Sequence, residues 1–146
     1  MLIEKENMPL VAMDFMNETH TEDLDIINEL FELVLAYEDS PTLENKKRVD
    51  NLYSKWFAHT IEHFRAEEIM MEEKKFPPYP MHKGEHENAL RVMDEVFRQW
   101  QAEQDINILK NYMSEHLVPW LINHINTMDT VTARFFQSGV SPCAIH

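Results

Sequence analysis

The sequence is poor in glycine, cysteine and long apolar runs, and each shortage excludes a class of protein. Its 146 residues include only two glycines, Gly84 and Gly139, so it lacks the many tight turns that sheet-rich folds need. Its one cysteine, Cys143, cannot form an internal disulfide, which fits a reducing cytoplasm. Its longest apolar stretches, such as 117–122, are far too short to cross a bilayer, so no membrane insertion is expected.

Basic residues are also scarce. Lysine and arginine total 13 against 26 aspartates and glutamates, which gives a formal net charge of −13. A nucleic-acid backbone or an anionic membrane surface would repel such a chain, so neither is an expected partner. The first fifteen residues carry acids where a signal peptide needs a basic patch and an apolar run. We therefore expect a cytoplasmic protein.

Capping residues and prolines divide the chain into four long helical segments. Asp14 and Asn17 are candidate N-caps of the first segment, Thr42 of the second and Asp105 of the fourth. Pro119 lies inside the fourth segment, where we expect it to kink the helix. The segments run over about 14–39, 43–75, 81–103 and 106–128, and a short amphipathic helix follows at about 130–137.

Each segment carries one apolar stripe at a spacing of three and four residues, as in a helix that buries one face. Four such helices with short connections predict an all-α fold, namely an antiparallel up-down-up-down four-helix bundle with a short C-terminal helix. We expect a single domain over residues 1–146, with the bundle core at about 14–128 and a flexible tail at about 138–146.

All four apolar stripes contain histidine, and one also contains glutamate. The polar residues on these stripes include His20, His63, Glu67, His82, His86 and His124. Because His63 and Glu67 are four residues apart, as are His82 and His86, each pair projects from one helix face at ligand spacing. Asp129 falls off the helical face of His124 but comes within reach if the helix unwinds there.

The convergence of these groups on one core region predicts a metal site. A buried imidazole or carboxylate is costly unless something satisfies it, and two divalent cations would do so. These ligands suit iron, with zinc, manganese or cobalt as competitors.

Two rival metal motifs fit less well. No histidine here has a glutamate three residues before it, which excludes the paired Glu-x-x-His motifs of ferritin-like proteins. Residues 82–86 match the H-x-x-E-H signature of inverted zinc proteases. That signature is weak alone, Glu85 has no obvious role as a base, and few residues follow for the rest of a peptidase domain.

At these positions the sequence resembles the hemerythrins, and within them the single-domain bacterial hemerythrins. The resemblance covers about residues 10–135, in the family's order. The matching strings are His20 with Ile26-Ile27-Asn28, His63-Phe64-x-x-Glu67-Glu68, His82-Lys83-x-Glu85-His86, and Trp120-Leu121-x-x-His124-Ile125-x-x-x-Asp129.

The resemblance implies a non-haem di-iron protein that binds O₂ reversibly, for storage, delivery or carriage, and that is not an enzyme. The implied ligands are His82, His86 and His124 for one iron and His20 and His63 for the other, with Glu67 and Asp129 bridging the two. An oxo or hydroxo group derived from water would also bridge the irons, which cycle between Fe²⁺ and Fe³⁺. The iron with two histidines would keep an open position for O₂.

Two alternative functions stay open. One is a di-iron redox enzyme or detoxifier that acts on peroxide or nitric oxide, or that buffers iron. The other is an O₂ or redox sensor acting through a protein partner, whose identity the sequence does not indicate.

Two histidines lie outside this pattern. His59 and His116 are additional histidines on the inner stripes, at positions where the family does not normally supply an iron ligand. They are either satisfied core or rim histidines, residues that move protons or tune the site, or part of a third metal site. Glu68, beside Glu67, is expected to face solvent.

Overall fold

The computed structural model describes residues 2–138, and the predicted flexible tail lies outside the described residues except for Ser138 at its start. Within this range every regular element is helical. The first three long helices are α1 (Asp14–Asp39), α2 (Leu43–Glu73) and α3 (Tyr79–Glu103). The fourth column consists of α4 (Ile106–Asn111), the π-helix π1 (Tyr112–Leu117), α5 (Val118–His124), the π-helix π2 (Ile125–Asp129) and α6 (Thr130–Ser138).

The helices form the predicted antiparallel four-helix bundle. Helix α1 packs against α2 and α4, and α3 packs against the same two neighbours, so the fourth column closes the bundle between α3 and α1. Connections of only two to five residues join the successive columns, which requires neighbours to run in opposite directions. None of the helices in residues 2–138 is long and apolar enough to span a membrane.

Two of the predicted N-caps are confirmed, and the first helix has no side-chain cap. Oγ1 of Thr42 accepts a hydrogen bond from the backbone N–H of Asn45 at 3.1 Å, and Oδ1 of Asp105 accepts one from the backbone N–H of Asn107 at 3.0 Å. Helix α1 begins at Asp14, and no side chain caps it. Asn17, a predicted cap, instead pairs its amide with the backbone N–H and carbonyl of Val11, both at 2.9 Å.

Two turns between helices place a residue other than glycine in a conformation that favours glycine. Lys75 and Gln104 have φ angles of 54° and 53°, in the left-handed region that glycine usually fills after a helix. Helix α2 ends at Glu73, two residues before the predicted end, as the chain turns towards Lys75. Helix α3 starts at Tyr79, two residues earlier than predicted, because Pro80 fits a first helical turn.

The predicted short C-terminal helix is α6, which continues directly from the helices before it without a break. The backbone at every junction from α4 to α6 keeps right-handed helical angles. Pro119 is the second residue of α5 and lies two residues after the end of π1, whose i→i+5 bonding widens the turn. The wider turn lets the helix pass a residue that has no N–H to donate.

Two apolar clusters occupy the bundle, and the predicted metal ligands lie between them along each column. The larger cluster contains Trp56, Trp100 and Leu109, and the smaller one contains Met16 and Phe135. In sequence, each predicted ligand follows residues of one cluster and precedes residues of the other. The polar residues thus form a layer across the core.

Candidate metal centre

The structure brings the seven predicted ligands together in two overlapping groups. Within each group the candidate donor atoms lie within 4.8 Å of one another. The larger group consists of Glu67, His82, His86, His124 and Asp129, and the smaller of His20, His63 and Glu67. All seven are buried; His63 is the most exposed at 7 %.

Each of the two carboxylates divides its oxygens between two sets of imidazoles. Oε2 of Glu67 lies 2.7 Å from Nε2 of His63, whereas Oε1 lies 3.5 Å from Nε2 of His82 and 3.4 Å from Nε2 of His86. This arrangement places one oxygen on each side of the centre, as a bridging carboxylate requires.

Asp129 repeats the arrangement from the fourth column. Oδ2 lies 3.0 Å from Nε2 of His20, and Oδ1 lies 3.0 Å from Nε2 of His82 and 3.1 Å from Nε2 of His124. The centre therefore offers three imidazoles on one side and two on the other, with both carboxylates between them.

The π-helical turn π2 explains how Asp129 reaches the centre. Residues five apart on an α-helix point about 140° away from each other. In π2 the i→i+5 bonding stacks such residues, so His124 and Asp129 share a face. The predicted unwinding is thus a wider helical turn rather than a break in the helix.

Outer hydrogen bonds orient the three imidazoles of the larger group. Nδ1 of His82 lies 2.8 Å from Oγ1 of Thr132, and Nδ1 of His86 lies 3.0 Å from Oε2 of Glu68. Nδ1 of His124 lies 2.7 Å from Oε1 of Glu85. A carboxylate only accepts, so the last two imidazoles carry a proton on Nδ1, which leaves Nε2 as the atom that would bind a metal ion.

The expectation that Glu68 faces solvent is wrong, because its side chain is mostly covered at 20 % exposure and holds His86. Glu85 and Thr132 were not found from the sequence as supporting residues. Glu85 lies on α3 and serves a histidine of α5, and no spacing along one chain segment predicts such a contact.

The two imidazoles on the other side lack this support. Nδ1 of His20 and Nδ1 of His63 are buried and have no hydrogen-bond partner among the described residues. The two sides therefore differ both in the number of imidazoles and in how firmly these are oriented.

The charges of the cluster call for a cation. Burial lowers the pKa of His63, but the Glu67 carboxylate outweighs it and raises this pKa to about 9. Burial likewise opposes a charged His82, yet Asp129 and Glu67 raise its pKa to about 9. Burial raises the pKa of Asp129, but the neighbouring imidazoles of His124, His20 and His82 outweigh it and hold this pKa well below its usual value.

In the metal-free protein, the protons on His63 and His82 thus take the place of the metal ions as partners of the carboxylates. Oε1 of Glu67, Oδ1 of Asp129 and Nε2 of His86 are buried and have no hydrogen-bond partner within residues 2–138. These are atoms facing the middle of the centre, where a divalent ion would satisfy them. The residues present therefore fit metal binding.

Aromatic rings cover the larger group. The ring of Phe64 stacks on His86 with centroids 3.8 Å apart, and Trp120 stacks on His124 at 4.6 Å. These contacts restrict the two imidazoles and keep water away from that side.

A cavity of about 270 Å³ adjoins the centre. His63, His124 and Asp129 form part of its wall, and the remaining wall is mainly apolar and aromatic. Asn88 and His116, which are both exposed, lie where the cavity meets solvent.

His59 and His116 do not contact the seven central residues in any recorded hydrogen bond or ion pair. Nδ1 of His59 lies 3.5 Å from Oδ1 of Asp23, and its Nε2 lies 3.6 Å from Oε2 of Glu22. The neighbouring Asp23 carboxylate raises the pKa of His59 against the opposing effect of burial. His116 lines the cavity. The two histidines therefore have different surroundings, and they form no hydrogen bond with each other.

The fold and the site define a class: a helical-bundle protein with a buried histidine and carboxylate cluster that could hold metal ions. Residues 11–135 match the family model described as hemerythrin HHE cation binding domain. The chain belongs to the hemerythrin family, whose domain binds non-haem iron.

Proteins named bacteriohemerythrin are among its relatives. That of Aquifex aeolicus is 29 % identical over 134 residues, which are 92 % of this chain and 97 % of the relative. That of Ralstonia nicotianae is 36 % identical over 74 residues, 51 % of this chain and 53 % of the relative. That of Methylococcus capsulatus is 23 % identical over 116 residues, 79 % and 81 % of the two chains. No solved structure matches the chain.

Proposed function

We propose that the protein binds two iron ions at this centre and uses them to bind O₂ reversibly. One observation carries the proposal: in both Glu67 and Asp129, one carboxylate oxygen faces one set of imidazoles and the other oxygen faces the second set. Shared carboxylates of this kind hold two cations side by side rather than one.

The seven residues would form two metal positions. His82, His86 and His124 would hold one ion together with one oxygen from each carboxylate, which makes five donor atoms. His20 and His63 would hold the second with the remaining two oxygens, which makes four donor atoms. The second position keeps more room for an external ligand. His63 of this position borders the cavity, as do the shared Asp129 and, from the other position, His124.

Two ferrous ions in these positions would supply the two electrons that reversible O₂ binding requires. The chain's own part is to orient the ligands and to keep the site dry. Glu85 and Glu68 hold His124 and His86 in the tautomer that binds a cation. Phe64 and Trp120 cover the imidazoles, so water has little access from that side.

An absorption spectrum tests the proposal. The iron-loaded protein is reduced without oxygen, exposed to O₂ and then purged, and the iron content is measured beside it. We expect two irons per chain and visible charge-transfer bands that appear with O₂ and disappear on purging. An irreversible change would contradict reversible binding and favour a redox enzyme; binding of one iron would contradict the shared carboxylates.

A matched pair of variants makes the test specific. Glu67→Gln removes a charge from the centre, and we expect it to lose the second iron and the O₂-dependent bands. Glu62→Gln removes the same charge from an exposed position of the same helix and is expected to behave like the unaltered protein. Equal behaviour of the two variants would remove Glu67 from the site.

A further inference from the structure

The cavity beside the centre is larger than a diatomic gas requires. Its volume is about 270 Å³, whereas a cavity of about 150 Å³ already admits benzene. Four aromatic residues line it, namely Trp56, Phe64, Tyr112 and Trp120. Val92, Met93, Leu117 and Leu121 complete most of the apolar wall. The cavity thus has the size and lining to take a small ring.

Two residues of this wall carry polar atoms without hydrogen bonds. Asp23 is 5 % exposed and Trp56 is 1 % exposed. Oδ1 of Asp23 and Nε1 of Trp56 are buried and have no hydrogen-bond partner among residues 2–138. Oδ1 of Asp23 does lie 3.5 Å from His59, an ion-pair distance without hydrogen-bond geometry. An unsatisfied buried donor or acceptor costs about 1–3 kcal/mol, so the two atoms indicate a missing partner.

The chemistry of the two atoms selects the ligand. The Asp23 carboxylate only accepts a hydrogen bond, and the Trp56 indole N–H only donates one. An ammonium group could satisfy Asp23 but has no lone pair for Trp56. An anion could accept from Trp56 but would meet the charge of Asp23. A hydroxyl group does both, since it donates one hydrogen bond and accepts others.

We propose that this cavity binds a small neutral aromatic molecule with one hydroxyl group, of the phenol class. The ring lies among the aromatic side chains, and the hydroxyl donates to Asp23 and accepts from Trp56. Such a ligand occupies the space beside His63 and Asp129, where O₂ would enter under the proposed function. Bound phenol should therefore lower the apparent O₂ affinity, and this second consequence rests on the proposed function.

Calorimetry with three ring compounds tests the binding. The full-length, metal-loaded protein is titrated with phenol, with anisole, which accepts but cannot donate, and with benzene, which does neither. We expect saturable binding of one phenol per chain, and at least about tenfold weaker binding of anisole and benzene, as for one lost buried hydrogen bond. Absence of saturable phenol binding would overturn the proposal, and so would equal binding of all three compounds, because water alone would then satisfy the polar pair.

Variants locate the site. Trp56→Phe keeps a ring but removes the N–H, and we expect it to weaken phenol more than benzene. Ser54→Ala, an exposed change two residues away on the same helix, is the control and should bind like the unaltered protein. If Trp56→Phe bound phenol with unchanged selectivity, the hydroxyl would not lie against Trp56. Should this variant not fold, the three-compound series on the unaltered chain still decides the chemical class.

The two proposals fail separately. Phenol binding is read from heat and needs no O₂ chemistry, whereas O₂ binding is read from the absorption spectrum in the absence of phenol. A protein that binds O₂ but no phenol loses only this inference, and one that binds phenol but no O₂ loses only the proposed function. If both bind without affecting each other, the shared position in the cavity is wrong.

Discussion

Asp129 follows His124 by five residues, and yet Oδ1 of Asp129 and Nε2 of His124 lie 3.1 Å apart. The two residues share a face because the helix between them is a π-helix. This local widening provides the second of the two carboxylates that the imidazoles share. The contact between the two residues therefore depends on the helical geometry of the chain between them.

Inserting a residue between His124 and Asp129 should separate them. Insertion of one alanine after Asn126 turns Asp129 away from the centre, and we expect the protein to retain at most one metal ion by elemental analysis. Deletion of Thr127, which is exposed, is the matched control. It replaces the π-turn by an α-turn in which the aspartate follows His124 by four residues and keeps the same face. Loss of metal in the deletion alone would show that the π-turn has another role.

The contact between His124 and Glu85 should strengthen metal binding. Loss of an outer partner of a metal-binding histidine typically costs 10–100-fold in affinity. We expect Glu85→Ala to weaken metal binding by about this factor, and Glu85→Gln to weaken it less because the amide oxygen still accepts. Competition with a chromogenic chelator measures the effect. Glu87→Ala changes an exposed acid on the same helix and should leave the affinity as it is.

The two metal positions should release their ions in order. The position formed by His20 and His63 has fewer imidazoles, and their Nδ1 atoms have no hydrogen-bond partner among the described residues. We therefore expect a chelator to remove metal in two phases, with this position emptied first. Glu68→Ala removes support from His86 on the other side and should bring the two phases closer together. A single phase in the unaltered protein would contradict the difference between the positions.

Without metal, stability should fall as the solution becomes alkaline. The pKa of His63 is raised from 6.5 to about 9 by Glu67 in spite of burial, and that of His82 also to about 9. A raised pKa contributes stability that is complete below pH 6.5 and is lost as the pH rises through about 9. We expect the melting temperature of the metal-free protein to fall across this interval.

Acid should destabilise the metal-free protein for the opposite reason. Burial raises the pKa of Asp129, but the neighbouring imidazoles outweigh it and hold this pKa well below its usual 3.8. The contribution of Asp129 to stability is therefore present above pH 3.8 and is lost as the pH falls through the lowered pKa. The metal-loaded protein should show no fall between pH 6.5 and 9, because metal ions replace the protons on His63 and His82. Parallel curves for both forms would contradict the exchange of protons for metal.

The Asn28 side chain should hold the first residues of the chain against α1. The Asn28 amide donates to the carbonyl of Ile3 and accepts from its N–H, both at 2.9 Å, and Ile3 is buried. Two lost hydrogen bonds of about 1 kcal/mol each predict that Asn28→Ala lowers the free energy of unfolding by about 2 kcal/mol. A urea titration measures this change. Asn17→Ala removes the hydrogen bonds to Val11, which is less buried than Ile3, and should lower the free energy of unfolding by a smaller amount.

Much of the centre could be predicted from the sequence because helical spacing is regular. The pairs His63 with Glu67 and His82 with His86 lie four residues apart, and such pairs face the same way on any α-helix. Their apolar surroundings on each stripe indicate which face is buried. The fold class followed from the same stripes and from the scarcity of glycine.

Contacts between columns and changes of helical register could not be predicted in this way. Glu68 borders solvent when its own helix is considered alone, and only the packing of α3 against α2 brings it to His86. Glu85 reaches His124 across the same kind of interface. The sequence indicated that the helix must unwind for Asp129 to reach the centre, and only the structure showed that the change is a π-turn within a continuous helix.

The sequence by itself thus determined four amphipathic helices and the seven polar residues on or near their buried faces. The tertiary structure decided which oxygen of each carboxylate meets which imidazole, which histidines receive outer hydrogen bonds, and where the cavity lies. The physical reason is the range of the forces: helical periodicity acts over a few residues of one chain segment. The site depends on side chains that only the packing of four helices brings within hydrogen-bond distance.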